Sequence, residues 1–181
     1  MKRQHVDGWF SQQFPGEVVA GFVVGGPANG NSLDASDSPA SRHPADLQTH
    51  IVNRRLDDQM RVWPAGNVCA VLSEERLALA SVGGMIAARP KDLLRSEPRG
   101  GFRCEWWRNS ESEAPTAEYW NMLFFFPDGS WAALGAATKL LGRATKARAL
   151  AEEFTTALGS DATQIDWSIP PGSSAAGHDD P

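Results

Sequence analysis

Apolar residues fall into short alternating or clustered runs through the middle of the chain, and helical spacing is confined to its flanks and one insertion. Val6, Trp9, Phe10 and Gln13 recur at helical spacing, which predicts a short helix over Lys2 to Phe14, ended by Pro15-Gly16. "EVVAGFVVGG", Glu17 to Gly26, is β-branched and apolar on both faces, so it reads as a first strand covered on both sides. The next run, Pro27 to Asp46, is rich in Ser, Asn, Asp and Pro, with a single Leu. Such a run buries too little surface to offset its ordering entropy. Leu47, Ile51, Leu56 and Met60 then return to helical spacing, predicting an amphipathic helix over Ala45 to Met60. Residues 27–66 are therefore expected to be an insertion, partly helical and partly flexible.

From Asn67 the pattern changes to strands. "NVCAVLS" and "RLALASV" flank Glu74-Glu75 and predict a tight hairpin. Residues 83–100 read as a connector with one short strand around Leu93-Leu94. "GFRCEWWRN" alternates, with Phe102, Cys104 and Trp106 on one side and Arg103, Glu105 and Trp107 on the other. Two further strands, Glu118 to Phe126 and Ser130 to Gly135, are joined by Pro127-Asp128-Gly129, whose residue types suit a hairpin loop. A closing helix is predicted from Leu140, Ala144, Ala147, Ala151, Phe154 and Leu158, with Thr138 as N-cap and Gly159 as stop. The expected plan is one domain over residues 1–160, followed by a flexible tail over 161–181.

Composition narrows the function classes. With 181 residues, 41% hydrophobic and 22% charged, the chain has the size and content of one globular domain. A net charge of −5 argues against nucleic acid as a partner, because that binding runs on clustered Lys and Arg. Cys69 and Cys104 each sit in a strand-like run without CxxC spacing, so both read as buried reduced thiols. The first residues lack the apolar core of a signal peptide, and no run approaches the ~20 apolar residues of a membrane span. A cytoplasmic chain is expected.

Strand, insertion, a series of antiparallel strands and a final helix make a mainly β fold with α, in which a small antiparallel barrel is capped by the C-terminal amphipathic helix. Ser73-Glu74-Glu75-Arg76-Leu77 between two apolar runs, and "FFFPDGSWAAL" leading directly to the last helix, resemble the bacterial pleckstrin-homology-like (PH-like) domains. The resemblance covers Glu17 and Asn67 to Leu158. It implies that barrel, with an interaction or scaffold role and no catalysis. It carries over no lipid site, because "GFVVGGPANG" lacks the basic residues of the phosphoinositide-binding members, and residues 27–66 separate strands one and two. The rival is the helix-grip fold of START and Bet v 1 type proteins, which would carry an apolar small molecule in an internal cavity.

No catalytic motif appears: there is no GxSxG elbow, no GxGxxG or GKS/GKT loop, and no metal-ligand cluster. His5, His43, His50 and His178 are scattered, and the pair Asp46 and His50 reads as a helix-surface pair. No cofactor, no metal and no catalytic residue is expected. Two features remain as binding candidates. Lys139, Arg143 and Lys146 fall on one line of the predicted last helix, a stripe suited to an acidic partner or an anionic membrane surface. Trp106-Trp107 must place one indole away from the core that holds the other. A protein partner is the expectation, with the oligomeric state left open.

Overall fold

The computed structural model describes residues 1–27, 67–84, 88–110, 118–140 and 143–165. The helix expected over Ala45 to Met60, with most of the insertion and residues 166–181 of the tail, lies outside the described residues. The elements are α1 (Arg3–Gln13), β1 (Val19–Pro27), β2 (Val68–Ser73), β3 (Arg76–Gly83), β4 (Arg89–Pro98), β5 (Arg103–Ser110), β6 (Glu118–Phe125), β7 (Trp131–Leu140), β8 (Arg143–Ala144), α2 (Lys146–Leu158) and β9 (Ala162–Gln164). All nine strands join one sheet in the order β4-β3-β2-β1-β7-β6-β5-β9, with β8 attached to β7. Every pairing is antiparallel except β5 with β9.

The fold is thus mainly β with two helices among the described residues, as expected, but the sheet does not close. Its edges are β4 and β9, and among the described residues the two halves are joined by strand pairing only where Gly26 and Pro27 of β1 pair with Gly135 and Leu134 of β7. The small closed barrel expected from the sequence is replaced by an open, folded-over sheet. The connector expected to hold one short strand is instead the ten-residue β4, paired with β3 along most of its length through two bulges. Its charged and half-exposed side chains hid it, because an edge strand need not bury either face.

The concave side holds the main core. Val23, Leu72, Leu77, Leu79, Trp120, Met122, Phe124 and Leu134 point inward from both halves and meet Ala151, Phe154 and Leu158 of α2. Helix α2 lies across β1 at Gly21, where an added Cβ would stand 3.1 Å from the Phe154 Cα. On the other face of β1–β3, α1 buries Val6, Trp9 and Phe10 against Val19, Phe22, Cys69, Val71, Ala78 and Ala80. This two-sided cover is why β1 and β2 are apolar on both faces. A third cluster, Trp107, Leu123, Trp131 and Ala133, sits on the opposite face of β5–β7, with Phe125 and Ile165 packed against it.

The turns have local causes. Ser73 Oγ accepts the N–H groups of Glu75 (3.1 Å) and Arg76 (3.0 Å) and donates to Glu17, while Arg76 pairs with Glu17 at 2.7 Å. The Ser-Glu-Glu-Arg run therefore builds the β2–β3 turn and ties it to Glu17, two residues before β1. At the β6–β7 hairpin, Gly129 takes φ 82°, and Asp128 accepts from the Ser130 N–H at 3.0 Å.

Side chains bridge the open edge of the sheet. Arg95 of β4 pairs with Glu97 (2.5 Å) and with Asp128 of the β6–β7 hairpin (2.8 Å), and its guanidinium lies 4.1 Å from the Phe126 ring centroid. Arg99 binds Asp161 and donates to the carbonyls of Leu158 (2.7 Å) and Ser73 (3.2 Å), joining the end of α2 to the β2–β3 turn. Arg95, and after it Ser130, hold the Asp128 carboxyl well below the usual carboxylate range. A depressed pKa stabilises the folded state above the unfolded value and loses that contribution as pH falls through the folded one. The wild type is expected to melt at a higher temperature than Asp128→Asn above about pH 4, with the gap shrinking on acidification. Parallel thermal melts from pH 7 to pH 2 check it, and a gap that widens toward acid pH contradicts it.

The last helix begins later than the sequence pattern predicts. Residues 131–140 form one strand, and Thr145, not Thr138, is the N-cap: its Oγ1 accepts the Ala147 N–H at 3.2 Å and donates to the Ala137 carbonyl at 2.8 Å. Pairing of Glu118 with Lys139 extends β7, a non-local contact that outweighs the helical spacing of Leu140 and Ala144. Gly159 ends the helix as expected. The tail expected to start at 161 instead supplies β9, which pairs with Cys104 to Trp106.

A candidate groove at the end of the second half sheet

On β5 the inward face runs Cys104, Trp106, Arg108, continuing from Phe102 just before the strand, and on β6 it runs Trp120, Met122, Phe124, as strict alternation requires. Core packing fills this face as far as Trp120. Beyond it the inside opens to a groove of about 310 Å3 between the sheet and α2, lined by Trp106, Arg108, Trp120, Glu152, Thr155 and Thr156. Trp106 and Trp120 stack at 5.0 Å with an interplanar angle of 20°, and the Arg108 guanidinium lies 4.1 Å from the Trp120 ring centroid. Arg108 and Trp120 are direct register partners across β5–β6, which fixes this arrangement.

Polar groups around the groove divide into used and unused. Thr155 and Thr156 donate their hydroxyls to carbonyls of their own helix, leaving oxygen lone pairs outward. Glu152 is paired with Arg148 at 3.1 Å. Trp120 is 1% exposed, and its Nε1–H has no acceptor among the described residues. Arg108 is exposed, and no carboxylate lies within ion-pair distance of it among the described residues.

The residues singled out from the sequence are distributed differently from expectation. Lys139, Arg143 and Lys146 do not form a stripe on one helix: they belong to β7, β8 and the first position of α2. Topology still gathers them at one end of the fold, since Lys139 pairs with Glu118, Glu118 pairs with Ser110, and Arg143 pairs with Leu140. That end is also where Arg108 and Arg148 sit. Trp106 is half-buried and forms the groove wall. Trp107, on the opposite face of β5, is fully buried in the third cluster, so neither indole is left outside a core as the tandem pair led one to expect, because the second face of β5 is covered as well. Arg108 and Trp120 were not singled out from the sequence. Their pairing depends on a register across a connection whose length fixes nothing about alignment.

Other chemistry is sparse. Cys69 and Cys104 are free, fully buried thiols, and burial pushes both well above the ordinary thiol range. Among the described residues, no three His, Cys, Asp or Glu gather in a way that would hold a metal ion. His43, His50, His178 and Asp46 lie outside the described residues. A second groove, of about 320 Å3, runs between α1 and the start of β4, lined by Gln4, His5, Gly8, Trp9, Gln12, Arg89 and Pro90. Among the described residues no helix is long and apolar enough to cross a membrane. Compared with protein-family models, curated proteins and solved structures, the chain matches none.

Proposed function

We propose that the chain is a non-catalytic interaction module of the PH-like kind that binds a protein partner through the groove of Trp106, Arg108 and Trp120. The observation that carries this reading is the way the packed interior ends: the exposed Arg108 and the half-buried Trp106, both set against the buried Trp120, line an open groove instead of being covered by core. Trp and Arg supply much of the energy of protein interfaces, because they combine large contact area with a polar handle. The exposed cations Arg108 and Lys146 at the same end favour a partner over simple solvation of that end. A helix-grip carrier would instead need an internal cavity of several hundred Å3. The space between the half sheets is occupied by Trp120, Met122, Phe124 and Phe154, so the carrier reading has less support.

The test replaces Thr156 with a photo-reactive residue in the full chain and irradiates living cells, with the exposed Asp92 of β4 as a control position. Discrete protein adducts are expected at position 156 and absent at 92. Adding Trp106→Ala is expected to reduce their yield by about tenfold or more, as for an interface hot spot. Adducts to lipid alone would assign the groove to a membrane surface, and no adduct, or the same adducts from both positions, would remove the reading.

A further inference from the structure

Resting on that reading, we infer that the occupant of the groove is an extended acidic segment of the partner, with a carboxylate set against Arg108 and an acceptor oxygen on the Trp120 indole. Two unmet needs meet in one place. Arg108 stands exposed at the surface, over an aromatic face and with no carboxylate in ion-pair distance among the described residues. Trp120, which lines the groove, buries an N–H donor that lacks an acceptor among the described residues, a deficit that folded proteins seldom leave unfilled. An anionic oxygen meets both, and a charge-assisted bond to a guanidinium is among the strongest available. The acidic residue in the groove does not oppose this, since Glu152 is already neutralised by Arg148 at 3.1 Å. Lys146, exposed on the first turn of α2 two residues before Arg148, adds a second cation at this end although the chain carries −5 overall. Beyond about 8 Å the remote acidic residues are screened at physiological salt, which leaves the local charge to select the partner.

A peptide fits better than a free acid because of the neighbouring strand edge. Strand β9 covers β5 only from Cys104 to Trp106, and its last bond runs from the Ile165 N–H to the Trp106 carbonyl at 2.8 Å. From Trp107 to Ser110 no described strand pairs with β5 on that side. An extended chain entering the groove can therefore continue along this edge with main-chain bonds while its acidic side chain reaches Arg108.

The experiment measures anisotropy of three fluorescein-labelled octapeptides, in which Val and Thr alternate with Glu, Gln or Lys, titrated with the full-length protein. The Glu peptide is expected to bind at least about tenfold more tightly than the Gln peptide, the scale of one charge-assisted bond, and the Lys peptide weakest. Arg108→Gln should erase the Glu preference, and Arg108→Glu should transfer it to the Lys peptide, with near-UV circular dichroism confirming that both variants fold. Equal binding of Glu and Gln peptides, or an order unchanged in Arg108→Glu, overturns the inference. A third arm adds 3-phenylpropanoate: saturation of the Trp106 and Trp120 indole signals by this free acid, with no binding of the Glu peptide, would assign the site to a small carboxylate and overturn the peptide. Protein adducts from position 156 that persist without any Glu preference would leave the interaction module standing and remove only the acidic partner.

Discussion

Gly25→Ala is expected to prevent stable folding, whereas Gly26→Ala, one residue further along the same strand, is expected to be nearly neutral. At Gly25 an added Cβ would stand 2.5 Å from the Gly135 carbonyl oxygen and 2.7 Å from two atoms of the Leu134 side chain. The carbonyl belongs to the backbone of β7, so it cannot swing away as a side chain can. Giving way would mean separating β1 from β7 where, among the described residues, the backbones of the two half sheets are paired. Overpacking within a core costs about 1–3 kcal/mol. Displacing a backbone seam should exceed that range, against a total stability of about 5–15 kcal/mol. At Gly26 an added Cβ would meet nothing closer than the Asn67 Oδ1 at 3.7 Å, an ordinary contact. Urea unfolding of both variants reads the difference directly. A Gly25→Ala midpoint equal to that of Gly26→Ala would show that the seam is not what joins the halves.

Phe124→Asp is the second large effect, and its neighbour again provides the contrast. Phe124 is fully buried on the concave face, with ring centroids 6.4 Å from both Phe102 and Phe154. Truncating such a residue to Ala costs about 3–5 kcal/mol, and a carboxylate in its place adds the cost of a charge that has no partner there. The chain is expected to lose its cooperative melt and its near-UV dichroism. Phe125 points to the opposite face, half-buried, with the Arg103 guanidinium 4.6 Å from its ring centroid. A carboxylate at 125 finds that guanidinium in the next strand, since Arg103 and Phe125 are register partners. Phe125→Asp should therefore stay folded, with a modest fall in melting temperature. Should both variants unfold alike, the assignment of the two faces is wrong.

This pair of residues also separates what the pattern revealed from what it concealed. Alternation correctly put Trp120, Met122, Phe124 and Phe126 on one face. The natural guess that α2 covers the opposite face fails: the helix packs on the concave side with that same set, and Leu123, Phe125, Trp107 and Trp131 make a separate cluster. A period of two residues tells which side chains share a face but not which face turns toward the helix. The binding candidates divide on the same ground. Trp106 was visible as one of a tandem pair, but its stacking on Trp120 and the position of Arg108 required the β5–β6 register. The basic stripe was read on a helix that starts at Lys146, so its members proved to be neighbours through strand pairing instead.

By itself the sequence determined the β-rich character, most strand positions from Val19 to Leu134, the Ser73–Arg76 and Pro127–Gly129 turns, and the N-terminal helix. Each depends on a local cause: side-chain periodicity, a hydroxyl that caps nearby N–H groups, or a glycine free to take positive φ. The tertiary structure alone decided that the sheet stays open, that Arg95 and Arg99 bridge its edge, that β7 outruns the helix pattern as far as Leu140, and that β9 adds a parallel strand. It alone also brought Arg108, Trp120 and α2 around one groove. Those outcomes are sums over contacts between residues far apart in the chain, and no local pattern encodes which distant partner will offer the better pairing.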